Sequence, residues 1–160
     1  MPPGIRLVQP GDERPLFDLC MEAYRENGWG GCDPTAVREV LGKAIAHDGM
    51  IMAVIPGPDR LEAVIGFQPA RNWYGDAGSW YYVELLVFVH PLHRKSRHAV
   101  TLMRFAKWFE AIAEAPVLIC SMPRGDAERK RRFFSRYGSL VTDVFMIGDG
   151  TFRYMKSEAA

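Results

Sequence analysis

Residues 87–100 read VFVHPLHRKSRHAV, and the fold turns on them. A run of β-branched and aromatic residues ends at Pro91, which cannot donate to a strand ladder. Arg94, Lys95, Arg97 and His98 follow at once. From about Ser96 the pattern becomes helical and runs to Ala113. Ala99, Leu102, Met103, Ala106, Phe109 and Ala113 share one face, while Lys95, Arg104, Lys107, Glu110 and Glu114 lie mostly off it. A central strand therefore hands over to a helix through a cluster of positive charge. The first N–H groups of a helix have no intrahelical acceptor and carry partial positive charge. An anion fits there, and a phosphate fits best. On charge alone a solvated helix start is the plainer account.

Working outward, "GIRLVQ" reads as a short first strand. "GDERPLFDLCMEAYREN" follows as a helix with Asp12 at its N-cap position. "DPTAVREVLGKAIAH" restarts the helical pattern, with Asp33 as N-cap and Pro34 at the first helical position. "MIMAVI" and "LEAVIGFQPA" form a hairpin across the turn "PGPDR". "WYYVELLVFV" is the central strand. "APVLICS" is a further strand, "GDAERKRRFFSRYG" a short basic helix, and "SLVTDVFMIG" and "TFRYMK" the closing strands. This order predicts a mixed α/β fold, with a central sheet of six to seven strands and helices on both faces.

The composition agrees. The 160 residues are 48% hydrophobic and 24% charged, which suits one folded domain over 1–160. A net charge of +1 gives no global field toward nucleic acid. No apolar run approaches the ~20 residues of a membrane span. Cys20, Cys32 and Cys120 form no CxxC pair, so reduced thiols in a cytoplasmic protein are expected.

The layout around Pro91 resembles motif A of the GCN5-related N-acetyltransferase (GNAT) family, V-x-P-x-x-[RQ]-x-x-G-x-[GA]. Val89, Pro91, Arg94 and Ala99 match, and Arg97 stands at the first glycine. The element order is similar over nearly the whole chain. The stretch from Val117 to Gly148 has the layout of motif B, with Gly138 at the family glycine and Ser139 in place of its usual Phe.

The resemblance implies an N-acetyltransferase that uses acetyl-coenzyme A, or another acyl-coenzyme A, as co-substrate. The acceptor would be a small-molecule or peptide amine, attacking directly in a ternary complex. The backbone of Val87, Phe88 and Val89 would pair with the pantetheine arm. Lys95, Ser96, Arg97, His98, Ala99 and Val100 would cradle the diphosphate, with Arg94 flanking them. Motif B would approach the coenzyme near Ala127, Arg131 and Phe134. The family often places a tyrosine, the acid for the leaving thiolate, where this chain has Phe134. Tyr137 is the neighbouring hydroxyl, and packing at a helix end is its plainer role. Trp29, Trp73, Tyr74, Trp80 and Tyr82 would shape the acceptor site. Dimers are common in the family, so a homodimer is open. Arg97 and Phe134 both depart from the pattern, and they keep alive a catalytically inactive coenzyme-binding or protein-interaction module.

Glu84 is the only acidic residue of the central strand. A carboxylate there must be paired, at an edge or used, and general base is the functional reading. His90 and His93 have HxxH spacing, but it crosses Pro91 and no Cys, Asp or Glu accompanies the histidines. No metal is expected. In "RGDAERKRRFFSR", Asp126 and Glu128 dilute the charge and Phe133 and Phe134 suit a core, so nucleic acid is not expected as a partner.

Overall fold

The computed structural model describes residues 1–27, 32–71, 80–119 and 127–138. The elements run β1 (Arg6–Leu7), α1 (Glu13–Asn27), α2 (Pro34–Ile45), β2 (Ile51–Pro56), β3 (Leu61–Arg71), β4 (Trp80–Val89), a 3₁₀ turn (Pro91–His93), α3 (His98–Ala113), β5 (Val117–Leu118) and α4 (Ala127–Phe134). The described strands form one five-stranded sheet in the order β1-β2-β3-β4-β5. The first four are antiparallel to their neighbours, and β5 is parallel to β4. The mixed α/β class holds. The two expected closing strands lie outside the described residues.

Local chemistry sets several boundaries. Asp33 caps α2 by accepting from the Thr35 amide at 2.8 Å, and Pro34 opens the helix. The β2–β3 hairpin closes with Gly57 N–H donating to the Arg60 carbonyl at 2.8 Å. Asp12 sits at the α1 N-cap position, its carbonyl accepting from Leu16 N–H. Its side chain does something other than cap. The carboxylate takes both guanidinium nitrogens of Arg6, at 2.6 and 2.8 Å, and the Gln9 amide at 2.9 Å.

Two apolar layers sandwich the sheet. On one face Leu16, Leu19 and Ala23 of α1 and Leu41 and Ala44 of α2 pack on Met52, Val54, Val64 and Phe88. On the other face Leu102, Met103, Phe105, Ala106 and Phe109 of α3 pack on Ala53, Ala63, Ile65 and Phe67. Phe67 is fully buried and stacks on Phe105 and Phe109, at ring-centroid distances of 6.5 and 5.6 Å. The second layer also takes Phe133, Phe134 and Tyr137 from α4 and the turn after it.

Candidate functional site

The site begins with a slip in register. Gly66 pairs with Leu86, but Phe67 pairs with Glu84. Leu85 is thus one extra residue on β4, a bulge that bends the strand. Leu85 and Leu86 both pack toward α1 and α2, whereas Tyr82 before the bulge and Val87 and Val89 after it pack toward α3.

The bulge coincides with a change of neighbours. β5 pairs with β4 only at Tyr82–Val117 and Val83–Leu118. Beyond Val83, no strand among the described residues covers that edge of β4. Downstream, His90 N–H donates to the Glu62 carbonyl on β3 at 2.9 Å. Backbone groups alternate sides along an antiparallel ladder, so Phe88 also faces β3 while Val87 and Val89 face away from it. Of the three residues expected to meet a pantetheine arm, Val87 and Val89 turn their backbone toward the open edge.

The strand then enters α3 through a tight turn. His93 N–H donates to the His90 carbonyl at 2.8 Å, and Ser96 N–H to the His93 carbonyl at 3.0 Å. The first intrahelical bond is Thr101 N–H to the Arg97 carbonyl at 3.0 Å. His98 N–H is taken by Ser96 Oγ at 3.1 Å. The Ala99 and Val100 amides precede the first intrahelical donor and remain for an outside acceptor. Arg97 has φ −90° and ψ 11°, backbone that any residue adopts. The turn itself does not require the family glycine at that position. The side chains of Lys95 and Arg97 are exposed and make no ion pair among the described residues.

The other basic side chains are paired with carboxylates. Arg94 pairs with Glu26 of α1 and lies 5.9 Å from the Phe88 ring centroid. His90 is buried. Its Nδ1 accepts from the Leu92 amide at 3.3 Å, which leaves Nε2 to face Glu22 at 3.0 Å. His98 Nε2 lies 2.6 Å from Glu62, and His93 Nδ1 lies 3.5 Å from the same oxygen.

Sequence reasoning missed Glu22, Glu26 and Glu62, and each left a signal. Glu62 is the only acidic residue of β3, as Glu84 is of β4. Glu22 and Glu26 stand four apart in the C-terminal half of α1, where the helix dipole disfavours acids unless a cation meets them. The histidines therefore do have carboxylate companions, brought from α1 and β3.

Glu84 is half buried on β4, in register with Phe67, just past the last residue that pairs with β5. Tyr82 packs edge-on against Phe109, with centroids 4.7 Å apart, and Trp80 is exposed at the start of β4. Trp29, Trp73 and Tyr74 lie outside the described residues. On α4, Arg131 is exposed and Phe134 packs into the core layer. Tyr137 rests on Phe133 at 5.3 Å. Burial pushes the Cys20 thiol up to about 12, with Cys32 adding to the shift. Burial, then Asp33, raises Cys32 as well, so neither thiol is activated as a nucleophile. No helix among the described residues is long and apolar enough to cross a membrane.

An antiparallel run with a parallel fifth strand, helices on both faces and a crossover helix opening beside a bulged central strand define the fold of the GNAT acetyltransferases. Solved structures carry that assignment. The structure of AAC(6')-Iy in complex with the bisubstrate analogue CoA-S-monomethyl-acetylneamine matches at TM-score 0.67 and 14% identity, over 90% of this chain and 95% of that one. The ribosomal-protein-alanine N-acetyltransferase of Brucella melitensis biovar Abortus 2308 matches at TM-score 0.65 and 13% identity, over 90% and 98%. A GNAT family acetyltransferase of Staphylococcus aureus subsp. aureus USA300_TCH1516 matches at TM-score 0.61 and 16% identity, over 89% and 96%. No protein-family model and no curated protein sequence matches the chain.

Proposed function

We propose that the chain is an N-acyltransferase that uses acetyl-coenzyme A and passes the acetyl group directly to an amine in a ternary complex. One juxtaposition carries the reading. The edge of β4 at Val87 and Val89, which no strand among the described residues covers, leads within a short turn to the Ala99 and Val100 amides, which have no acceptor inside the helix. An extended amide-bearing arm pairs with the first and a diphosphate sits on the second. Lys95 and Arg97 supply the flanking charge. Arg97 acts as a ligand in this reading, because its backbone needs no glycine and its side chain is exposed.

The chemistry asks for position more than machinery, since a thioester is already activated. The acceptor ammonium, with a pKa near ~10 for a lysine-like amine, must lose a proton. Glu84 is the group for this, directly or through water. A backbone N–H of Val87 or Val89 meets the developing oxyanion. Phe134 has no proton for the departing thiolate. That single feature favours the second reading, a coenzyme-binding module of the same fold without turnover. Neighbours named as an aminoglycoside antibiotic 6'-N-acetyltransferase and a ribosomal-protein-alanine N-acetyltransferase motivate a screen over small polyamines, aminoglycosides and peptide N-termini.

Calorimetric titration with acetyl-coenzyme A, beside its desulfo and 3′-dephospho forms, tests the proposal. Micromolar binding that weakens without the 3′-phosphate is expected. No binding at millimolar coenzyme overturns both readings. Given an acceptor, Glu84→Gln should lower kcat about a hundredfold and leave coenzyme affinity unchanged. An unchanged rate at every pH removes Glu84 from the mechanism.

A further inference from the structure

We propose that Glu62, His93 and His98 form a binding site for one divalent cation of the zinc class. Each offers one ligand atom, and the three atoms lie within 4.8 Å of one another. Tetrahedral zinc, with bonds of about 2.0–2.1 Å, sets its ligand atoms about 3.3 Å apart. The Glu62–His93 edge, at 3.5 Å, already has that spacing. The Glu62–His98 edge, at 2.6 Å, is at hydrogen-bond distance and has to lengthen by about 0.7 Å to admit the cation.

The scaffold supports the site from three directions. Glu62 is near the start of β3, locked by the ladder at Ala63–Val89 and by His90 N–H on its own carbonyl. His93 ends the 3₁₀ turn, and His98 is the first residue of α3. The side chains are 14%, 29% and 20% exposed, so the cluster is sheltered and still reached by solvent. Two imidazoles and one carboxylate are a zinc-type donor set that leaves a fourth position open. Calcium and magnesium call for oxygen ligands throughout, and cuprous ion for sulfur. A cation here ties β3, the turn and α3 together. It also places positive charge under the helix start without using Lys95 or Arg97.

The competing account is a proton-only network in which both imidazoles donate to Glu62. Cobalt(II) separates the two. Untagged full-length protein, stripped with chelator and dialysed, is titrated with cobalt(II) and then with zinc(II), without coenzyme. One cobalt per chain is expected, with d–d absorption of low-coordinate geometry, abolished by one equivalent of zinc. His93→Ala and His98→Ala should each weaken binding at least about tenfold. Glu62→Gln, checked for folding by circular dichroism, should do the same with the least change of shape. Cys32→Ser should bind like the parent. The site is overturned by no saturable signal in the parent, by affinity retained in folded Glu62→Gln, or by a thiolate-to-cobalt band lost with Cys32→Ser. Because no coenzyme is present, these outcomes are independent of the acyltransferase reading.

Discussion

The chain twice passes from a strand into a helix through charged residues, and the two passages differ. At β1–α1 the charge is closed on itself. Asp12 is buried, and its oxygens are filled by Arg6 and the Gln9 amide. At β4–α3 part of the charge is left open. Lys95 and Arg97 point outward, and two helix amides have no acceptor inside the helix. A buried carboxylate is tolerated only with its full set of donors. Unmatched positive charge at a helix start costs little while water solvates it, and it is available to an anion. The first passage is closed on itself, and in the proposed function the second is the one that takes a ligand.

The sharpest way to break this contrast is Asp12→Ala. It takes the carboxylate from an Arg6 guanidinium that keeps only the Leu7 carbonyl and solvent, and should cost about 2 kcal/mol of stability in urea unfolding, with coenzyme affinity unchanged in the folded protein. Loss of coenzyme affinity in step with stability would mean the two passages are not separate devices. Acid gives a second view. The hydrogen bond from Arg6 holds the Asp12 carboxyl below its ordinary value of 3.8. A group depressed in the folded state adds stability that is full above the ordinary value and is lost as pH falls through the lowered one. Parent stability should therefore fall below pH 3.8, and Asp12→Asn should flatten that part of the profile. At the open passage, Lys95→Ala and Arg97→Ala should each weaken coenzyme binding about tenfold, or 1.4 kcal/mol, with no change in Tm. Tighter binding by Arg97→Gly would make Arg97 an obstruction. The smallest effect belongs to Ser96→Ala, which frees the His98 amide and should cost about 0.5 kcal/mol.

Much of this architecture is legible in the sequence, because periodicity and caps are local. Asp33 and Pro34 announce α2, the spacing from Ala99 to Ala113 announces α3, and the run from Trp80 to Val89 announces the central strand. The N-cap position of Asp12 is legible too, but its partner is not. Arg6 is selected over the helix amides by where β1 lies against α1. The open passage hides more. The contacts Glu62–His98 and Glu26–Arg94 join residues 36 and 68 positions apart, and no local pattern specifies them. The histidines therefore read as lacking an acid when the fold supplies two, Glu22 and Glu62. The bulge at Leu85 is equally silent, since an extra leucine does not disturb an already apolar run.

That extra leucine acts as a phase shift. Upstream of it the even-numbered side chains of β4 face α3, and downstream the odd-numbered ones do. Removing Leu85 would do more than shorten the strand. It would force either Glu84 or the whole Val87–Val89 segment onto the opposite face of the sheet, since a strand's faces alternate with period two. Glu84 and the downstream edge are therefore heritable only as a set. A lineage can move the acid along β4 only by moving the insertion with it.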